Sequence, residues 1–140
     1  MRWQREDGRL LVKLEPGDPV AGSLLELARR EALPGASVQG IGAVNRARIG
    51  FYRPENQSYD ERELQENLEV ISLVGNISHV GEEPLLHAHI ALGRGDLSVI
   101  GGHLFEATVS VTLEVVLVPT AGRLTRTMDP RFRLNLLDLP

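Results

Sequence analysis

The chain has 140 residues and no cysteine, with 15 Lys plus Arg against 19 Asp plus Glu for a formal net charge of −4. This length suits a single domain (1–140, core about 8–135) that can bury a core without staples. The absence of cysteine excludes a disulfide framework, a thiolate nucleophile, an iron–sulfur cluster and Cys-ligated zinc. The acidic balance speaks against a protein held mainly by phosphate-backbone attraction, which calls for a basic excess. Aromatics are only 4%, which leaves the core to Leu, Val, Ile and Ala. The charged start, Met1 to Asp7, lacks the apolar stretch of a signal peptide, and no apolar run approaches the roughly 18–20 residues of a membrane span. A cytoplasmic protein without membrane contact is expected.

In chain order, residues 8–14 read as a short strand. The turn Glu15-Pro16-Gly17-Asp18-Pro19 leads into a helix over 19–32, with Asp18 as its cap and Pro19 in its first position. Leu24, Leu25, Leu27, Ala28 and Ala32 form its apolar stripe, and Pro34-Gly35 stops it. Residues 37–44 and 46–52 read as two strands. The polar stretch 53–67 reads as a surface loop, 68–77 as a strand and 81–84 as a turn. Residues 85–92 and 97–105 form a hairpin around Arg94-Gly95-Asp96, in which Gly95 supplies the positive φ. Residues 108–118 are a β-branched strand. In the tail, the alternation of Phe132, Leu134 and Leu136 suggests a last strand. Many strands and one clear helix give an α/β fold, a mainly antiparallel mixed sheet packed with one principal helix.

The chemistry concentrates in the histidines. His87 and His89 are two apart, so on a strand they share a face, while Leu86, Ala88, Ile90 and Leu92 take the other. With a three-residue loop, Gly93 pairs with Leu97 and His87 lies opposite His103, at a Cβ separation of about 4.5–5.5 Å. The same register puts Ile100 and Leu104 with Leu86 and Ile90. Three imidazoles projecting from one face suit a divalent metal, zinc above all, with a coordination position left open. A one-residue slip would turn His103 to the other face. His79 lies outside the pattern and reads as a surface residue.

An open three-histidine site could also serve a small metal-dependent hydrolase through a metal-activated water. Glu69 and Glu114, each in an otherwise apolar strand, are the candidate catalytic acid–base groups. Ser72, Asn76 and Thr112 are weaker candidates for hydrogen bonds. Arg46, Arg48 and Arg53, and separately Arg123, Arg126, Arg131 and Arg133, are basic clusters that could meet a nucleic acid. There is no complete dinucleotide fingerprint, P-loop or serine-hydrolase elbow.

Leu86-His87-Ala88-His89-Ile90 followed by Gly101-Gly102-His103-Leu104 resembles the signature of the PPC domain, the plant and prokaryote conserved domain. Gly40-Ile41-Gly42-Ala43-Val44 with Ile49-Gly50-Phe51-Tyr52, residues 68–77, and Thr112-Leu113-Glu114-Val115-Val116 resemble further strands of that family. The resemblance covers about residues 8–135. It implies a fold that assembles as a homotrimer, in which His87, His89 and His103 hold a divalent metal, commonly zinc. Since the histidines face away from Leu86 and Ile90, in such a trimer they are expected near a subunit cleft. It also implies a DNA-binding or regulatory role. In plant members an AT-hook supplies DNA contact, and this chain contains no Arg-Gly-Arg-Pro.

Overall fold

The structure is a computed structural model describing residues 1–139. They form β1 (Arg2–Glu6), β2 (Arg9–Leu14), α1 (Val20–Arg30), β3 (Ala36–Arg53), β4 (Ser58–Leu64), β5 (Leu68–Val80), β6 (Glu83–Gly93), β7 (Val99–Pro119), β8 (Thr125–Asp129) and β9 (Leu134–Asp138). All the strands belong to one mixed sheet. The β5–β8 contact, His79 beside Thr125, is its parallel pair, and the other strand pairs are antiparallel. The expected α/β class, with one helix on a mainly antiparallel sheet, is what the chain forms.

Two strands are longer than the sequence suggests. The segments 37–44 and 46–52 run on as β3, and 97–105, from Val99 onward, and 108–118 run on as β7. The interruptions that divide them in sequence are absorbed as register shifts at Gly42/Val44, Val44/Arg46 and Arg48/Ile49. A bulge inserts a residue and bends the strand without ending it. β3 pairs with β5, β5 with β6, β6 with β7 and β7 with β3, so these four strands close a hydrogen-bonded circuit.

The stretch read as a surface loop, 53–67, contains β4, and β1 was not foreseen. Neither strand shows apolar alternation. β4 is instead held to β3 by charge: Arg48 bonds Glu61 at 2.8 Å, Arg53 bonds Asp60 at 2.6 Å, and Arg46 pairs with Glu63. The tail forms a β8–β9 hairpin rather than one strand, with Leu134 and Leu136 in β9 and Phe132 in the turn before it.

The core is aliphatic. Leu10, Leu14, Leu24, Leu27, Leu73, Ile77, Leu92 and Leu113 are fully buried. α1 contributes Val20, Leu24, Leu27 and Ala28, the 3.6-residue stripe expected of a helix lying on a sheet. Its start differs from expectation. Pro19 is the N-cap residue and no side chain of the cap closes the turn. Asp18 instead accepts the Glu15 N–H at 2.9 Å and pairs with the Met1 ammonium at 2.8 Å. The exposed N–H groups of the first turn are met from β7, where the Glu106 carboxylate accepts from Ala21 at 2.7 Å and Gly22 at 3.1 Å. The helix ends at Arg30, two residues early, where Ala32 adopts φ 48° and the Leu33 N–H reaches back to the Ala28 carbonyl.

A carboxylate on the first N–H groups of a helix satisfies orphan donors and complements the helix dipole. Glu106→Ala should therefore destabilise the fold by about 1–3 kcal/mol, and Glu106→Gln by less. Urea denaturation checks this, and an unchanged midpoint in the alanine variant would refute it.

Candidate metal centre

β6 and β7 pair with His89 opposite His103 and Gly93 opposite Val99. The expected register, with His87 opposite His103 across a three-residue loop, is thus displaced by two residues. The loop is longer because Arg94 and Ser98 bond through their backbones at 2.9 Å, and the Asp96 carboxylate accepts both the N–H and the hydroxyl of Ser98. Leu97, not Gly95, takes the positive φ, at 66°. A shift of two preserves parity. Leu104 and Ile90 are buried at 3% exposure each, and Leu86 and Ile100 pack against the core. The histidines therefore still share the opposite face.

One ring nitrogen from each of His87, His89 and His103 lies within 4.8 Å of the others. The ring centroids are 5.3–5.7 Å apart. Tetrahedral ligation at about 2.0–2.1 Å would bring the nitrogens to roughly 3.3–3.4 Å, a small inward movement. His87 and His103 are half-buried and His89 is exposed, which leaves the centre open on one side. Burial, more than the neighbouring charges, lowers the pKa of His87 and pulls that of His103 down to about 4. Both imidazoles are thus neutral at pH 7, the form that binds metal. The buried Nδ1 of His103 has no hydrogen-bond partner. Convergent, neutral imidazoles with a spare ring nitrogen fit a divalent ion.

Two glycines let the strands approach this closely. A Cβ on Gly75 would stand 2.2 Å from the His87 carbonyl oxygen, and one on Gly102 would stand 2.6 Å from the Gly50 carbonyl oxygen. Tyr59 and Phe105 wall the other side of His103, each with its ring centre 5.0 Å away. Tyr59 comes from β4, so reading that segment as a loop hid it.

The other unforeseen neighbour is Arg126 on β8. It is buried at 6% exposure. It donates from Nε to Ser78 Oγ at 2.7 Å, from Nη1 to the Asn135 carbonyl at 2.8 Å and from Nη2 to Asn76 Oδ1 at 3.0 Å, and its Nη2 lies 3.1 Å from His87 Nδ1. Sequence showed it only as one arginine in a basic tail. Asn76, paired with His87 in the sheet, does join the site.

Glu69 and Glu114 do not reach the histidines within one chain. They border a separate cavity of about 400 Å³ with Ile41, Ile71 and Thr112, where Ser72 is not present; Ser72 and Glu114 line an adjoining groove of about 900 Å³. Glu69 lies five residues along β5 from Val74, the partner of His89, roughly 17 Å at the rise of a strand. His79 is not a surface residue. It is 7% exposed and two positions from Ile77 on β5, on the core side. The basic clusters are largely neutralised: besides the β3–β4 pairs, Arg123 bonds Glu82 at 3.1 Å and Arg131 bonds Asp129 at 2.7 Å.

Comparison with known proteins identifies the family. The Plants and Prokaryotes Conserved (PCC) domain model matches residues 3–121. The chain belongs to that family. A metal-containing protein of Archaeoglobus fulgidus is 34% identical, with a TM-score of 0.88 over 99% of both chains. A protein of Ralstonia eutropha, described as a "putative DNA-binding protein", is 32% identical, with a TM-score of 0.92 over 99% of this chain and 96% of that one. One from Bacteroides thetaiotaomicron with the same description is 29% identical, with a TM-score of 0.95 over 98% and 96%. No curated protein matches.

The depressed pKa of His103 fixes a pH dependence. Its folded value of about 4 lies below the ordinary value near 6.5. Between the two the unfolded chain binds more protons, so this contribution to stability is complete above about pH 6.5 and is lost as the pH falls toward 4. The Tm of metal-free protein should drop across that window, and less steeply in His103→Gln. Equal slopes in both proteins would refute the assignment.

Proposed function

We propose that this chain is a metal-binding protein in which His87, His89 and His103 hold one divalent ion, zinc, per chain. The convergence of three imidazoles on one sheet face, against a core that fixes their parity, carries the reading. The relation to a metal-containing archaeal protein supports it. When bound, such an ion supplies Lewis acidity at its open position. The protein's part is to keep His87 and His103 neutral and aimed, with Tyr59 and Phe105 excluding water from one side.

The proposal includes assembly as a homotrimer. Its support is an exposed apolar sheet face, with Ile41 at 60%, Ile71 at 51% and Val74 at 52% exposure, bordering the 900 Å³ groove. Contiguous apolar surface of this kind marks an interaction site. Val74 pairs with His89, so a subunit on this face would abut the centre. Glu69 and Glu114 lie along the same face. They are the candidate acid–base groups of the alternative reading, a metal-dependent hydrolase, and would have to act across the subunit boundary.

A DNA-binding or regulatory role is the second reading, and the descriptions of the Ralstonia and Bacteroides relatives favour it. The arginine–carboxylate pairs on β3–β4 weigh against those arginines as the contact. If DNA is bound, its affinity should fall steeply with added salt, and a duplex titration at low and high salt decides between the two.

Metal analysis by plasma mass spectrometry should find about one zinc per chain in tag-free protein. A His87→Ala/His103→Ala double variant should lose the metal while light scattering shows the same oligomer. No metal in the wild type, even after reconstitution, would overturn the reading.

A further inference from the structure

Arg126 is a buried cation with no carboxylate partner among the described residues, and all four of its contacts are to neutral groups. One of them is to a metal-ligand candidate. A guanidinium only donates, so in this arrangement His87 Nδ1 accepts and the ring proton sits on Nε2. Ligation cannot keep that bond. If Nδ1 takes the metal, its lone pair is no longer available to Arg126. If Nε2 takes it, the proton moves to Nδ1 and two N–H groups face each other. Turning the ring over presents a C–H to the guanidinium instead. Each route frees an N–H on Nη2 beside the centre.

The loaded site would then hold a divalent cation, three neutral imidazoles and an unpaired guanidinium. Burying such charge without a counter-charge is costly, and among the described residues no carboxylate pairs with Arg126 or joins the three imidazoles. We propose that the centre, once it carries its metal, binds a small oxyanion, a carboxylate or a phosphate, that Arg126 grips with the N–H given up by His87. Arg126 thus occupies His87 Nδ1 in the absence of metal and offers the same N–H to the anion once the metal is bound. This rests on the metal-binding reading above.

The test uses full-length protein loaded with Co(II), whose visible bands report the coordination sphere. Acetate and inorganic phosphate are titrated separately, against perchlorate at matched ionic strength. One or both should shift the bands and raise the apparent Co(II) affinity, because the coupling is reciprocal; which one does so distinguishes a carboxylate from a phosphate ligand. Arg126→Met should move two quantities in opposite directions. Metal affinity without anion should rise, since the competitor for His87 is gone. Anion affinity should fall about tenfold or more, the cost of losing a hydrogen bond to a charged group. A variant that is merely misfolded would weaken both. Should the methionine variant fail to fold, Arg126→Lys and the wild-type coupling carry the test. Bands indifferent to both anions, or an unchanged anion affinity in the variants, would overturn this inference and leave the metal reading standing. No Co(II) bands in the wild type would overturn both.

Discussion

The pairing of β6 with β7 is the constraint on which the rest of the molecule depends. Both strands have one face against the helix and core and the other toward the histidines. A slip of one residue would turn His103 inward and Leu104 outward. Exposing one leucine forfeits about 1.5–3 kcal/mol, and the same slip would withdraw Glu106 from the start of α1. Apolar burial and the helix cap therefore hold the imidazoles on one side, although neither touches them. The site is precise because its supports are unrelated to its chemistry.

Charge is used in two distinct ways. On β3 and β4, exposed arginines face carboxylates across the strands, pairs that water weakens one by one. Together they hold a hairpin that has little apolar content, and that hairpin delivers Tyr59 beside His103. Arg126 is the opposite case, a cation taken out of water and satisfied by a hydroxyl, an amide, a carbonyl and a ring nitrogen. An acidic chain with most of its surface arginines committed presents little free positive surface, yet it keeps one buried positive charge at its centre.

Where side-chain pattern alone determines structure, the sequence was legible. The His87/His89 face, the opposing Leu86/Ile90 face and the helix stripe follow from periods of 2 and 3.6. The exact hairpin register was not legible, because Asp96 and Ser98 lengthened the loop through local hydrogen bonds that leave no trace in hydrophobic pattern. β4 was invisible for the same kind of reason, since its partners are charges on another strand. The burial of His79 and the arrival of Arg126 depend on where the tail hairpin folds, and no local signal in residues 122–139 says that it returns to β5.

The tail hairpin meets β5 through one parallel bridge. Beyond that, Arg126 holds it to Ser78 and Asn76, while Tyr52 and Gln57 from the β3–β4 hairpin donate to the carbonyls of Phe132 and Arg131. The stretch matched by the family model ends at residue 121, before this hairpin begins. The three imidazoles lie within that stretch and Arg126 lies beyond it, in the hairpin that the aligned structures also span, covering 98–99% of this chain. The bonds that fasten the hairpin to β5 are the same bonds that satisfy the buried guanidinium, so the tail and the cation beside His87 stand or fall together.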